Sequence, residues 1–155
     1  MFTRKRRADE TTSFEAGKTD EEWKAQLSPA QYAVLRRAGT EPPWSGDLLH
    51  VDGAGVFHCA GCGAALFDTD AKFESGTGWP SFDRACAAGT VLERRERGFA
   101  MSRTEILCAR CGGHLGHVFP DGPTDTGQRY CVNSLSLTYT PAGEDPGTEE
   151  APAGD

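Results

Sequence analysis

Two C-x-x-C pairs constrain this chain more than any other feature of its sequence. Cys59 and Cys62 form the first pair, Cys108 and Cys111 form the second, and glycine follows each pair. Four thiolates can close a tetrahedral zinc site, and small residues let backbone N–H groups turn toward the sulfurs. The 45 residues at positions 63–107 exceed the spacing of an ordinary zinc ribbon. We therefore expect two knuckles on separate hairpins, joined by one structural Zn²⁺ per chain.

Other roles for these cysteines stay open on spacing alone. An iron–sulfur site also uses thiolate ligands. A redox C-x-x-C usually opens a helix in a βαβ unit, and no such pattern is found here. A ligand series at every third position, Cys108, Cys111, His114 and His117, would leave the first pair for another purpose.

Composition indicates one folded domain between two polar ends. The chain has 155 residues, enough for a single core. Residues 1–17 are polar and include a basic run at 4–7, and residues 141–155 carry five acidic and no basic side chains. Neither end can bury much apolar surface, so both are predicted to be disordered. The folded domain would then occupy residues 18–140.

Charge and hydropathy exclude several classes of function. The net charge of −7 argues against binding a phosphate backbone as the main activity. The basic run at 4–7 could be a nucleic-acid or targeting patch, although a solvated segment is the simpler interpretation. No stretch approaches the roughly 20 apolar residues of a membrane span, and no apolar signal segment follows the basic run. We predict a cytoplasmic protein with no membrane or nucleic-acid partner.

Two capping signals predict short helices at the start of the domain. Thr19 with Glu22 resembles a capping box, and Ser28 with Gln31 repeats it with proline at the first helical position. The first helix would run to about residue 26, and the second would end near Gly39.

Beyond residue 48 the pattern becomes that of short strands separated by glycine-rich turns. The sequence predicts a mainly antiparallel β domain with a small helical N-terminal part. Residues 91–97 and 100–108 form a hairpin that turns at Gly98, and residues 129–140 include the alternation typical of a half-buried strand. The remaining predicted strands are residues 55–59, 64–67 and 118–119.

Cys131 and Cys86 are the two cysteines outside the C-x-x-C pairs. On a strand, Arg129, Cys131 and Asn133 would project from one face. A cation and an amide beside a thiol favour a reactive thiolate. Cys131 is therefore the predicted nucleophile, and its unperturbed pKa of about 8.5 should be lowered by Arg129.

A polar segment after the second C-x-x-C pair supplies candidates for proton transfer. His114, His117 and Asp121 fall within eight residues among glycines and apolar positions. A neutral histidine can act as acid or base near pH 7, and Asp121 could orient one of the two. The glycine-rich loop around Trp79 could line an apolar pocket, although tryptophan is more often a core residue.

Several motifs together resemble the methionine-R-sulfoxide reductases of the MsrB family. They are, in chain order, TEPPWSGDLLH, CAGCGAALF, KFESGTGWPSF, CARCGGHLGHVFPDGP and GQRYCVNSLSL. The resemblance covers about residues 20–139, and it implies two antiparallel sheets with zinc on the four knuckle cysteines.

The same resemblance implies roles for individual residues. Cys131 would attack the sulfoxide sulfur and become a sulfenic acid, and His117 would protonate the departing oxygen. Arg129 and Asn133 would support the nucleophile, and His114 and Asp121 would complete the polar network. Trp79 would hold the ε-methyl group of the substrate.

The family resemblance also implies the partners of the reaction. The substrates would be oxidised proteins or peptides, the reductant thioredoxin or a similar thiol, and the enzyme a monomer. Many members carry a recycling cysteine at the position of Thr77, so here Cys86 or direct reduction must serve. Two rival hypotheses are a zinc-ribbon interaction module without catalysis and a general oxidoreductase acting on disulfides.

Overall fold

The computed structural model describes residues 14–96 and 103–143 as a mainly β structure of two antiparallel sheets and two short helices. This confirms the predicted fold class. The predicted disorder covers residues 1–17 and 141–155, of which residues 1–13 and 144–155 lie outside the described residues. Pro141, by contrast, is the last residue of a strand. Within the described part, no helix is long and apolar enough to cross a membrane.

Both predicted helix starts are confirmed. Thr19 and Glu22 exchange side-chain and backbone hydrogen bonds, and Ser28 and Gln31 do the same. Each pair gives partners to N–H groups that have none inside the helix. The helices are α1 (Asp20–Gln26) and α2 (Pro29–Leu35).

Helix α2 ends at Leu35, earlier than the predicted stop near Gly39. Ala38 has a φ of 58° and takes the left-handed position that the sequence suggested for a glycine. The N–H of Gly39 then donates to the carbonyl of Ala33 at 2.9 Å. This hydrogen bond spans six positions, one more than the 6→1 bond of a Schellman motif, and it gives a partner to the Ala33 carbonyl near the end of α2.

In the described part of the chain, the strands form a three-stranded and a six-stranded sheet, in the orders β2-β1-β9 and β3-β4-β8-β7-β6-β5. All pairs of neighbouring strands are antiparallel. The strands are β1 (Gly55–Cys59), β2 (Ala65–Asp68), β3 (Lys72–Phe73), β4 (Ser81–Phe82), β5 (Val91–Glu96), β6 (Arg103–Cys108), β7 (His114–Phe119), β8 (Arg129–Val132) and β9 (Leu137–Pro141).

Most predicted strands are present, with shifted ends. Strand β1 has the predicted bounds, whereas β7 extends four residues further toward the N-terminus than predicted. The β5–β6 hairpin is confirmed, but its predicted turn at Gly98 lies outside the described residues.

The stretch 129–140 is not one strand, as the sequence predicted. Strand β8 ends at Val132, a short 3-10 helix (Ser134–Ser136) follows, and β9 begins at Leu137. The chain thereby passes from the six-stranded sheet to the three-stranded sheet.

A buried carboxylate explains this interruption. The N–H groups of Ser134 and Leu135 each donate to the Glu41 carboxylate at 2.9 Å. Ser134 and Ser136 are buried while Leu135 is half-buried, the reverse of the predicted alternation. Because Glu41 is distant in sequence, no local pattern around Leu135 could reveal it.

The core lies between the two sheets and fixes β4 beside β8. Phe57 and Phe67 belong to the three-stranded sheet, and Phe82 belongs to β4. The rings of Phe67 and Phe82 stack at 4.4 Å, and the rings of Phe57 and Phe82 meet edge to face at 5.0 Å. Burying each phenylalanine contributes about 1.5–3 kcal/mol. These contacts hold β4 in register with the strand that carries Cys131.

Candidate active site and metal centre

The four C-x-x-C cysteines meet in one cluster that joins the two sheets. Cys59 ends β1 of the three-stranded sheet, and Cys108 ends β6 of the six-stranded sheet. The four Sγ atoms all lie within 4.8 Å of one another. The structure therefore favours the two-knuckle interpretation over the Cys108-to-His117 ligand series.

The spacing of the sulfurs fits a tetrahedral metal. Cys59 Sγ lies 3.7 Å from Cys111 Sγ, and Cys62 Sγ lies 3.6 Å from Cys108 Sγ. Metal–sulfur bonds of about 2.3 Å in a tetrahedron place the sulfurs about 3.8 Å apart. The cluster can therefore hold a metal ion without rearrangement, and four thiolates would leave no open position.

A buried arginine supports the cluster. Arg36 is 3% exposed, and its guanidinium carbon lies 4.4 Å from the centre of the Trp23 ring. Its Nη1 donates to the Cys111 carbonyl at 3.2 Å and lies 3.7 Å from Cys111 Sγ. This cation would offset part of the negative charge of four thiolates around a metal ion.

Cys131 occupies the centre of the six-stranded sheet, away from the thiol cluster. It pairs with His117 of β7 on one side and with Ser81 of β4 on the other. Residues directly opposite in antiparallel strands share a face, with Cβ atoms about 4.5–5.5 Å apart. His117, Cys131 and Ser81 thus form a row across three strands.

Gly116 permits the close approach of β7 and β8 beside this row. A Cβ added there would meet the carbonyl oxygen of Cys131 at 2.0 Å. Any larger residue would push β7 away from the cysteine. The glycine is therefore required by the pairing of His117 with Cys131.

Burial raises the pKa of the Cys131 thiol above its ordinary value. The positive charge of Arg129 and a hydrogen bond from the Thr77 side chain lower it, and the carboxylates of Glu41 and Asp121 raise it. Arg129 thus acts in the predicted direction, but burial outweighs it. The free protein at neutral pH therefore holds Cys131 mainly as a thiol.

Arg129 is held by Asp121 and not left free beside the thiol. Its Nε and Nη2 donate to the two Asp121 carboxylate oxygens at 2.9 and 3.1 Å, and its guanidinium lies 4.5 Å from the Phe119 ring centre. This bidentate pair lowers the pKa of Asp121. The hydrogen-bonding partner of Asp121 is thus Arg129, whereas the sequence suggested a histidine.

Each histidine has a carboxylate partner that the sequence analysis missed. His117 Nε2 lies 3.2 Å from Glu96 Oε1, and the pKa of His117 is lowered, first by burial and then by the charge of Arg103. His114 is 1% exposed, and its Nδ1 lies 2.5 Å from Glu105 Oε2. A carboxylate directly before the apolar end of β6, at Ile106, Leu107 and Cys108, was the available signal for the second pair.

The two histidine rings lie edge to face at 5.5 Å between centres. His114 therefore packs behind His117, fixed by Glu105, and His117 is the half-buried member of the pair. Of the two, His117 is the one directly opposite Cys131.

Asn133 and Trp79 meet at the backbone of Glu41. The Asn133 amide donates to the Leu115 carbonyl at 3.1 Å and accepts from the N–H of Glu41 at 2.9 Å. The indole N–H of Trp79 donates to the Glu41 carbonyl at 3.0 Å. Asn133 lies just beyond β8, buried, so it fixes the chain around Cys131.

Glu41 is the central residue that the sequence analysis missed. It is 2% exposed, and both carboxylate oxygens accept backbone N–H groups beyond Cys131. A glutamate between threonine and two prolines resembles a solvated loop residue. The N–H groups that bind its carboxylate lie more than 90 positions away, so only the fold reveals its role.

Comparisons with known proteins identify the family of this chain. The SelR domain family matches residues 27–141. Proteins named peptide methionine sulfoxide reductase MsrB from Bradyrhizobium diazoefficiens and Thiobacillus denitrificans are 54% and 55% identical to this chain. The matches cover 84% and 80% of this chain and 94% of each relative. A third relative of the same name, from Methanosarcina mazei, is 52% identical over 86% of this chain and 94% of its own length.

The chain belongs to the MsrB family. Among solved structures, the crystal structure of the Mis18 "Yippee-like" domain matches 59% of this chain and 99% of its own, at 21% identity and a TM-score of 0.47. That likeness is too low to carry an argument. The family assignment instead depends on sequence identity along most of the domain.

This MsrB chain has a hydroxyl network in the loop that carries Thr77. Thr77 Oγ1 and Ser75 Oγ lie 2.8 Å apart, and the Ser81 hydroxyl donates to Ser75 Oγ at 2.8 Å. Ser81 is fully buried beside Cys131. Thr77 is the member of this network that hydrogen-bonds to Cys131, so the loop presents a hydroxyl group and not a thiol to that sulfur.

Cys86 lies elsewhere in this MsrB fold. It is exposed, its N–H donates to the Leu66 carbonyl, and burial together with the charge of Asp68 raises its pKa. These contacts place Cys86 beside β2, whereas Cys131 lies in the centre of the other sheet.

Proposed function

We propose that this chain reduces methionine-R-sulfoxide in proteins or peptides to methionine. The observation that carries the proposal is the pairing of Cys131 with His117 on adjacent strands of an MsrB chain. The thiol is free of the metal cluster, and a titratable side chain lies directly opposite it. That combination favours a nucleophile with its proton donor over a binding module.

The reaction begins when the Cys131 thiolate attacks the sulfoxide sulfur. The oxygen passes from the methionine sulfur to the Cys131 sulfur, so the cysteine is oxidised by two electrons and the sulfoxide is reduced by two. His117 supplies the proton that the departing oxygen requires. The products are methionine and a sulfenic acid on Cys131.

In the free protein, deprotonation of Cys131 and protonation of His117 are both unfavourable. The two residues are therefore unreactive until substrate binds. Burial raises the pKa of Cys131 and lowers the pKa of His117, so neutral imidazole and neutral thiol dominate near pH 7. The active form, imidazolium with thiolate, is a minor state. A sulfoxide oxygen that accepts a hydrogen bond from His117 shifts the equilibrium toward it.

The preference for the R-sulfoxide over the S-sulfoxide follows from the different surroundings of the methyl group and the oxygen on the substrate sulfur. The Trp79 ring receives the ε-methyl group, and His117 receives the oxygen. An apolar methyl site and a polar oxygen site cannot exchange occupants without losing a hydrogen bond to the oxygen. Asn133 and the Arg129–Asp121 pair hold the surrounding chain and contribute the electrostatic setting.

An epimer-resolved assay tests this proposal. Synthetic peptides carrying either the R- or the S-sulfoxide are incubated with the chain and dithiothreitol, and methionine formation is measured. We expect turnover of the R-sulfoxide alone. Turnover of the S-sulfoxide contradicts the assignment, and no turnover of either epimer favours the zinc-ribbon interaction module.

The sulfenic acid on Cys131 is returned to thiol by an external reductant such as thioredoxin. A dithiol attacks the sulfenic sulfur, water leaves, and the reductant is released as a disulfide. Thr77 offers no thiol for an internal disulfide, and the contacts of Cys86 lie beside β2. Direct reduction is therefore the route that the described contacts favour.

Mass spectrometry after one turnover without reductant distinguishes the recycling routes. We expect Cys131 to gain one oxygen, or to react with dimedone, while Cys86 stays alkylatable. A Cys86→Ser variant should give the same product. A Cys86–Cys131 disulfide would instead establish internal resolution.

The metal of the thiol cluster is a structural Zn²⁺ held by Cys59, Cys62, Cys108 and Cys111. Four thiolate ligands at tetrahedral spacing suit zinc and take no part in the reaction. A cytoplasmic location fits the reduced state of the six free cysteines. The enzyme acts there as a monomer. The partners are then oxidised polypeptides and a thiol reductant.

A further inference from the structure

Trp44 is a large apolar side chain held in solvent. It is 62% exposed, and within residues 14–96 and 103–143 the other exposed large apolar side chain is Leu92, at 41%. Trp44 also has a φ of 70°, in the left-handed region that a bulky side chain avoids. Such a conformation is unfavourable and persists only where surrounding contacts impose it.

The contacts that impose it belong to the loop carrying Trp79. The N–H of Trp44 donates to the Gly78 carbonyl at 2.7 Å. A Cβ added to Gly78 would lie 3.0 Å from Trp44 Nε1 and 2.7 Å from Pro43 Cβ. The indole of Trp44 is therefore packed on Gly78, between Thr77 and Trp79.

This position is at the rim of the proposed site. Thr77 hydrogen-bonds to the Cys131 side chain, and Trp79 is joined to Glu41 three residues before Trp44. Cys131 itself is half-buried, so a methionine sulfoxide side chain must extend inward to reach it. The substrate backbone and the side chains next to the methionine sulfoxide then lie at the rim of the site, beside Trp44.

We propose that Trp44 binds an apolar side chain adjacent to the methionine sulfoxide of a polypeptide substrate. The inference rests on the proposed reductase function. Methionine is mostly a core residue, so the segments that present it when unfolded also present other apolar residues. An exposed indole flanked by Pro42 and Pro43, both exposed, offers such a side chain a flat apolar surface.

The test compares two substrates of different length with Trp44→Ala. One is N-acetyl-methionine-R-sulfoxide amide, which has no neighbouring side chain. The other is a capped peptide with leucine on both sides of the R-sulfoxide. We expect kcat/KM for the peptide to fall about five- to tenfold, through KM, because apolar burial worth roughly 1 kcal/mol is lost. The small amide should be reduced at an unchanged rate.

Two variants serve as controls. Trp44→Phe keeps an aromatic surface and should restore most of the preference for the peptide. Leu92→Ala removes the other exposed side chain, on β5, and should leave kcat/KM for both substrates unchanged. If kcat/KM of Trp44→Ala fell equally for both substrates, Trp44 would only position the Trp79 loop. If kcat/KM for the peptide were unchanged, Trp44 would contact no substrate. Either outcome overturns the proposal. Failure of wild-type protein to reduce either substrate would instead reject the reductase function.

Discussion

Replacing Cys131 by serine is expected to abolish sulfoxide reduction. A serine hydroxyl in the same half-buried position cannot ionise near neutral pH, so the attack on sulfur has no nucleophile. The measurement is methionine formed in a single turnover from an R-sulfoxide peptide. Cys86→Ser removes the exposed spare thiol and should leave that single-turnover rate unchanged. Residual turnover in Cys131→Ser would assign the chemistry to another group.

His117→Ala tests the contribution of the proton donor to the rate while leaving the nucleophile Cys131 in place. Loss of a positioned acid should slow the same step by about 10²-fold or more, with little change in substrate binding. The pH profile supplies a second signature. Because the pKa of His117 is lowered and that of Cys131 is raised, the wild-type fraction of imidazolium with thiolate is flat between the two values.

Without the histidine, the rate should follow the thiolate fraction alone. It should therefore rise with pH up to the raised pKa of Cys131, and the wild-type decline above that pKa should disappear. A purely structural loss would lower the rate equally at every pH. An unchanged single-turnover rate would remove His117 from the acid role.

Loss of the metal is the second large expected effect, on stability. Cys108→Ser should lower metal content well below one zinc per chain and leave the chain largely unfolded. Zinc binding to small Cys/His domains is worth about 10–16 kcal/mol, against a total domain stability of about 5–15 kcal/mol. Elemental analysis and thermal unfolding measure the two quantities.

The matched control is again Cys86→Ser, because Cys86 is outside the cluster of four thiols. It should keep both the metal and the wild-type melting temperature. Chelation of wild-type protein should reproduce the Cys108→Ser result without a substitution. Complete metal removal with an unchanged melting temperature would show that the sheets hold together without the metal.

Local signals in the sequence predicted the elements whose causes are local. Thr19 and Ser28 predicted the starts of their helices because each capping box spans only four consecutive residues. The two knuckles could also be predicted from local sequence, because glycine follows each C-x-x-C pair. The chemistry of Cys131 and His117 was suggested by residue type, and their pairing across two strands agrees with it.

Errors arose where distant residues decide the structure. Leu135 was assigned to a strand because its neighbours alternate, but a carboxylate from residue 41 turns the backbone there into a 3-10 helix. Asp121 was considered a histidine partner because of proximity in sequence, yet the β7–β8 hairpin brings Arg129 to it. The net pKa shift of Cys131 depends on burial, which a sequence does not state.

The hydrogen bonds of Glu41 have a consequence for the order of folding. They join residues 93 and 94 positions apart, so closing them needs almost the whole domain to be in place. Contacts of such separation form late, after local hairpins. During synthesis the chain therefore exposes reactive thiols before it can possess a working site. Enzymatic activity should consequently be the last native property to return on refolding, after helix content and β structure.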